Sequence, residues 1–199
     1  MTDRRHRYRT RTEDAIKGAL VRLLAAKPLT QLTIAEVARE AQVSRSTFYQ
    51  HYNNLDDVYR SLVVEFSDTL TPLNVQVNCS DCAEASEGRP FCLLLREPGP
   101  YKSVVDDDRF METFLDIASS LVGRDLYGRL VSAGYSWEQV QALCRFQLSG
   151  CAAAARGSRV DAEEWERVRS LIDIFIRGGV SACEQAKVRE NRSLKTGAR

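Results

Sequence analysis

The chain has 199 residues, enough for one domain with a sizeable core and a small second domain. Its net charge of +1 conceals an uneven distribution, because residues 1–52 sum to +5 and the remaining residues sum to −4. The basic end suits a partner that carries phosphate. The opening residues lack the apolar core of a signal peptide, and no run of about 18 apolar residues could cross a membrane. We therefore expect a cytoplasmic protein whose six cysteines are mostly thiols.

The first predicted element follows a basic segment. Residues 1–12 contain five arginines and are predicted to form a mobile arm. From Ile16 to Leu24, apolar residues recur at helical spacing. This pattern predicts a first helix over residues 13–26, which Pro28 ends.

Residues 33–52 have the pattern of two short helices joined by a tight turn. Thr33 and Glu36 form a capping box that starts the first of these helices, and a single apolar stripe follows. After a three-residue break, Ser44 is a good N-cap for a helix whose first turn contains Arg45. This arrangement predicts a helix-turn-helix, whose second helix enters the major groove of double-stranded DNA.

The aromatic end of this motif gives the chain a family resemblance. Residues 43–52 are VSRSTFYQHY, and residues 55–62 are LDDVYRSL. Together with the helix before them, they resemble the N-terminal domain of the TetR family of bacterial repressors over residues 10–65. The resemblance implies a DNA-binding transcriptional regulator. One position departs from the family pattern, because Leu55 stands where relatives often carry a lysine that contacts phosphate.

Seven residues are predicted to contact DNA. Arg45 is the first choice for reading bases, because a guanidinium can bond guanine O6 and N7 together, and the next two residues can touch bases or a thymine methyl group. The resemblance implies that Thr33, Tyr49 and His51 contact phosphate. Phe48 is expected in the core. The predicted set is Thr33, Ser44, Arg45, Ser46, Thr47, Tyr49 and His51.

Helical periodicity continues through the rest of the chain. Asn54 is predicted to cap a fourth helix that runs towards Pro72, and residues 72–100 are predicted to be irregular apart from a short helix near 89–96. No alternating strand pattern occurs, so we predict an all-α fold. Further helices are predicted over residues 106–122, 124–133, 137–156 and 161–186. The predicted domains are residues 1–55 for DNA binding, 56–186 for effector binding and dimerisation, and 187–199 as a disordered basic tail.

The last two helices are apolar over a broad arc, which indicates two packing partners. The second partner is predicted to be another copy of the chain, which would give a four-helix dimer interface; the family resemblance implies the same. The alternative is an interior pair of helices in a monomer. The predicted interface residues are Leu148, Val168, Ile172, Phe175 and Ile176.

An effector pocket is expected inside the second domain. Its candidate residues are aromatic, and plain core packing is the alternative for each of them. The sequence does not identify the effector. The candidates are Phe66, Phe110, Phe114 and Phe146.

Cys79, Cys82 and Cys92 have the one metal-like spacing in the chain. A Cys-x2-Cys pair suits zinc, but a structural zinc needs four ligands and no histidine lies nearby, since the only two are His6 and His51. Zinc binding, redox sensing and inert thiols all stay open, and otherwise no cofactor is expected.

These patterns predict a homodimeric repressor that a small-molecule effector releases from a palindromic operator. The alternatives are a repressor that responds to metal or oxidation through the three cysteines, and a DNA-binding regulator without an effector. An enzyme is not expected, because the phosphate-binding, nucleophile and metalloprotease motifs are absent and no histidine follows residue 51.

Overall fold

The computed structural model of the protein describes residues 2–70, 90–121 and 126–196. Within these ranges the chain forms ten α-helices and two short 3-10 helices, without a strand, so the predicted all-α fold is confirmed. The α-helices are α1 (Thr2–Leu24), α2 (Ile34–Glu40), α3 (Arg45–Tyr49), α4 (Leu55–Asp68), α5 (Phe91–Arg96), α6 (Lys102–Val105), α7 (Phe110–Leu121), α8 (Leu126–Ala133), α9 (Trp137–Gly157) and α10 (Ala162–Thr196), and the 3-10 helices are Leu29–Gln31 and Gly99–Tyr101.

Two helices are longer than the sequence pattern predicted. α1 begins at Thr2, so the segment predicted as a mobile arm is helical. α10 continues to Thr196, through most of the segment predicted as a disordered tail. Neither segment contains glycine or proline before the helix ends, and arginine and lysine are good helix formers. In α10, Lys187 Nζ also donates to Glu190 Oε2 at 2.8 Å, an i,i+3 pair that supports the helix.

The first compact unit of the chain is larger than the predicted domain 1–55. It comprises Met1–Ser67 together with Pro98–Phe114, so α4, α6 and the start of α7 belong to it. Side-chain hydrogen bonds attach the later segment: Ser103 Oγ donates to the Val21 carbonyl at 2.8 Å, and Leu29 N donates to Asp107 Oδ2 at 3.0 Å. Tyr59 OH donates to a carbonyl of α6 at 3.1 Å. The core of this unit includes Ile16, Leu20, Val37, Phe48, Val58 and Leu62.

The second compact unit comprises Asp68–Glu97 and Leu115–Arg199. Within it α5 packs against α9, and α8 packs against both α9 and α10. Arg96 at the end of α5 donates to the carbonyls of Ser158 and Val160 at 3.1 and 2.8 Å, and its guanidinium lies 4.6 Å from the centre of the Trp165 ring. These contacts fix the connection between α9 and α10. The inward face of α9 consists of Val140, Cys144, Leu148, Ala152 and Ala155.

Candidate nucleic-acid interface

The predicted capping box starts α2. Thr33 Oγ1 accepts a hydrogen bond from Glu36 N at 3.3 Å, and Glu36 Oε2 accepts one from Thr33 N at 2.9 Å. Lys27 Nζ also donates to Glu36 Oε1 at 2.6 Å. The hydrogen bond from Lys27, followed by those from Thr33, lowers the pKa of Glu36 from its ordinary value of 4.5 to about 2. An ionised carboxylate therefore fixes the start of the first helix of the motif.

The turn between α2 and α3 depends on one residue with left-handed backbone. Gln42 has φ of 56°, a conformation in which glycine is the usual residue. The chain then reverses, and Val43 N donates to the Ala38 carbonyl at 2.9 Å. Because Val37 and Ala38 are buried, this hydrogen bond ties the turn to the core of the unit.

Ser44 caps α3 as the sequence predicted. Its Oγ accepts a hydrogen bond from Thr47 N at 3.0 Å, and it lies 2.7 Å from Ser46 Oγ and 2.8 Å from Thr47 Oγ1. Arg45 and Ser46 are exposed, whereas Phe48 is fully buried, as expected. The helix therefore anchors one aromatic ring in the core and presents Arg45 to solvent in its first turn.

Tyr49 and His51, which the sequence assigned to phosphate together, have different environments. Tyr49 is 56% exposed. The His51 side chain is only 6% exposed, and its Nδ1 lies 3.1 Å from Glu13 Oε1 on α1. Sequence reasoning missed Glu13, because no local pattern pairs residues 38 positions apart. His51 therefore connects the end of α3 to α1.

A second polar contact joins α1 to α4. Lys17 Nζ bonds the Glu65 carboxylate and lies 3.3 Å from Asp14 Oδ1. Burial lowers the pKa of Lys17, but the hydrogen bond and charge of Glu65 outweigh this effect and leave the pKa raised. At the start of α4, Asn54 Oδ1 accepts a hydrogen bond from Asp57 N at 2.8 Å, which is the predicted cap. The helices that precede and follow the helix-turn-helix, α1 and α4, are therefore joined directly by the contact of Lys17 with Glu65.

Three of the four aromatic residues predicted for an effector pocket lie together in the first unit. Phe66 contacts Phe110 and Phe114 edge to face, with ring centres 5.2 and 6.3 Å apart, and all three rings are fully buried. The fourth, Phe146, belongs to the second unit and is 68% exposed. Phe66, Phe110 and Phe114 therefore form one packed aromatic cluster, and Phe146 is not part of it.

Within the second unit, an apolar groove of about 360 Å³ runs along α9 and α10. Ile172, Phe175 and Ile176, three of the predicted interface residues, line it, and Phe175 is 71% exposed. Leu148 does not line the groove, because it lies on the inward face of α9; Val168 is half-buried and lies outside the lining. The apolar side chains that line the groove include Leu143, Phe146, Cys151, Ala154, Ile172, Phe175, Ile176 and Val180.

The predicted thiolate site lies mostly outside the described residues. Cys79 and Cys82 are not among them, and Cys92 is buried on α5. Among the residues that the structure describes, no group of three or more His, Cys, Asp or Glu could hold a metal ion. The thiolate site stays a prediction.

The comparison with known proteins identifies the same segment of the chain in which the structure shows a helix-turn-helix. Residues 16–62 match the family model described as bacterial regulatory proteins, tetR family. No curated protein and no solved structure matches the chain. In the described ranges, no helix is sufficiently long and apolar to cross a membrane. The matched segment runs from α1 into α4 and contains the whole helix-turn-helix, so this part of the chain is a DNA-binding domain of the kind that TetR-family regulators carry, which supports a DNA-binding transcriptional regulator.

Proposed function

We propose that this regulator is a homodimeric repressor that leaves a palindromic operator in the bacterial cytoplasm when a small-molecule effector binds. The observation that carries the proposal is the presentation of Arg45, which is exposed in the first turn of a capped helix whose other face is anchored by Phe48. A recognition helix contacts base edges with its N-terminal residues, so this position suits base reading.

The other predicted DNA contacts take different roles in this proposal. Tyr49, which is exposed, contacts phosphate, and Thr33 is exposed at the start of α2, where it can do the same. The hydroxyls of Ser46 and Thr47 shape the first turn of α3 through Ser44. His51 acts indirectly by holding the end of α3 against α1.

Dimerisation is supported by the apolar groove. Phe146 of α9 and Phe175 of α10, which both line the groove, are 68% and 71% exposed, and Leu171 and Ile174 of α10 are at least 66% exposed. Large apolar patches are rarely left uncovered on soluble monomeric proteins. Helices α9 and α10 of a second copy of the chain would cover these side chains, and each protomer would contribute the same surface to the interface. Because Leu148 packs inward, Phe146 replaces it in the proposed interface.

For the effector we propose an apolar small molecule, because the residues predicted to contact it are aromatic. Native mass spectrometry of the purified protein tests this idea. A co-purifying organic molecule that Phe114→Ala loses would support it. Release from DNA by metal or oxidant alone, without an organic molecule, would contradict it in favour of the thiolate alternative.

Selection from a random duplex library tests the DNA-binding part of the proposal. The wild-type protein should enrich a two-fold symmetric site with half-sites about 34 Å apart, one helical turn. Arg45→Ala should weaken specific binding by roughly 1–3 kcal/mol and relax one base position in each half-site. Arg39→Ala, which removes the same charge from the exposed end of α2, is the control and should keep the preference. An Arg45→Ala protein that selects the unchanged site would refute base reading by Arg45.

A further inference from the structure

The second compact unit contains a buried indole whose N–H group lacks an acceptor. Trp165, near the start of α10, is 2% exposed. Among the residues that the structure describes, none accepts a hydrogen bond from its Nε1. Nearly all buried donors in folded proteins have a partner, because an unsatisfied donor has lost its hydrogen bond to water without a replacement. An acceptor from outside the chain would therefore be stabilised at the edge of this ring.

A cation covers the face of the same ring. The guanidinium of Arg96 lies 4.6 Å from the ring centre and donates to the carbonyls of Ser158 and Val160. In the described parts of the chain, no carboxylate forms an ion pair with Arg96. The two carbonyls fix the guanidinium in place, but they do not neutralise its positive charge, and the side chain is half-buried.

The buried polar residues that follow on α10 do not compensate this charge. Arg169 and Asp173 stand one and two turns after the indole on the same face of the helix, and they are 7% and 4% exposed. Arg169 Nη1 donates to Glu166 Oε1 at 2.9 Å, and Arg177 Nε donates to Asp173 Oδ2 at 2.9 Å. Both acids are therefore bonded to arginines of α10 itself, and the surroundings of the indole favour an anion.

A carboxylate has the chemistry that both groups require. Its oxygen accepts a hydrogen bond from an indole N–H, and its negative charge is attracted by a guanidinium on the face of the same ring. A neutral carbonyl would use only the first of these interactions. A phosphate carries close to two negative charges near pH 7, so burying it costs more free energy than one N–H donor and one cation offset. The ligand class that fits is therefore a small monocarboxylate.

We propose that the edge of Trp165 is a binding site for a small monocarboxylate, in which Nε1 donates to a carboxylate oxygen and the charge of Arg96 stabilises the anion. Both residues belong to the second compact unit. The inference does not depend on the proposed operator, dimer or apolar effector, because it concerns the binding of a carboxylate to the chain in the absence of DNA.

The two tryptophans of the chain allow a direct test by NMR. The full-length protein, labelled with nitrogen-15 tryptophan, gives one indole N–H signal for each, and Trp165→Phe and Trp137→Phe assign them. Acetate, butyrate and benzoate are each titrated to about 20 mM at constant ionic strength, which detects a millimolar dissociation constant. At least one of them should move the Trp165 proton signal downfield in a saturable way, because a charge-assisted hydrogen bond is short and strong. The signal of Trp137, which is 40% exposed, should not move.

Two comparisons test the role of charge. Acetamide, butyramide and benzamide keep an acceptor but lack the charge, so their dissociation constants should be at least about tenfold higher than those of the acids. Arg96→Gln should raise the dissociation constant of the acid by about the same factor. Arg145→Gln, which removes the same charge from an exposed position on α9, is the matched control and should change it by less than about twofold.

A Trp165 signal that none of the three carboxylates moves would refute the site. A signal that inorganic phosphate moves and the carboxylates do not would refute the monocarboxylate as its ligand. Equal affinities for acids and amides would refute the role of the Arg96 charge. This last comparison uses the wild-type protein, so it decides the question even where Arg96→Gln unfolds.

Discussion

At the scale of single residues, Gln42 shows how the turn of the motif tolerates an unfavourable conformation. A left-handed residue other than glycine costs roughly 1–2 kcal/mol, yet the capped helices on both sides and the hydrogen bond from Val43 to Ala38 hold it there. The position of the turn depends on these neighbours and not on the preference of Gln42 itself.

Gln42→Gly should therefore stabilise the protein. The relief of strain exceeds the entropy that glycine loses on folding, so the free energy of unfolding should rise by about 0.5–1 kcal/mol in urea denaturation. Gln50→Gly is the matched control, because Gln50 has φ of −73° and gains nothing from glycine; it should destabilise by a similar amount. A loss of stability in Gln42→Gly would show that the left-handed backbone is not strained.

At the scale of elements, the start of α2 depends on the ionised carboxylate of Glu36. Its pKa is lowered to about 2 from an ordinary 4.5, so the carboxylate stabilises the folded state above pH 4.5. This contribution is lost as the pH falls through the window from 4.5 to about 2. Glu36→Gln should unfold at a lower temperature than the wild type at pH 7, and the difference should shrink steadily as the pH falls from 4.5 to about 2. A difference that persists unchanged at pH 2 would mean that charge plays no part in this cap.

The length of α3 illustrates a second point about elements. Five residues are too few for a stable isolated helix, because nucleation is costly. The cap at Ser44, the buried ring of Phe48 and the contact of His51 with Glu13 supply the missing stability. A short recognition helix is therefore fixed by the helices around it, and a change in α1 can alter its placement.

At the scale of the whole molecule, the palindromic operator that we propose requires two copies of the chain. Phe175→Arg would place an uncompensated charge in the apolar groove, and we expect the dimer dissociation constant to rise at least about a hundredfold, roughly 3 kcal/mol. Binding to a palindromic duplex should weaken with it, while binding to an isolated half-site should not change. Phe175→Leu keeps an apolar side chain and should remain dimeric. Sedimentation that shows an intact, folded Phe175→Arg dimer would place the interface elsewhere.

The local parts of the motif were predictable residue by residue. The caps at Thr33, Ser44 and Asn54 each join residues three apart, so the sequence alone marks where α2, α3 and α4 begin. The exposed position of Arg45 and the burial of Phe48 follow from their places in the same short helix. The beginning of α1 was not predictable in this way, because its first turns have neither a cap signal nor an apolar stripe.

The sequence by itself determined that this protein is all α, that it carries a helix-turn-helix of the TetR family, and which residue opens its recognition helix. Those features arise from contacts between residues three or four apart, which a periodic pattern records. Only the tertiary structure decided that His51 pairs with Glu13, that residues 98–114 join the first compact unit, and that Leu148 packs inward while Phe175 stays exposed. The first two features join residues that are far apart in the chain. The third depends on which side of a broadly apolar helix faces the core, and only the packing of the helices determines that.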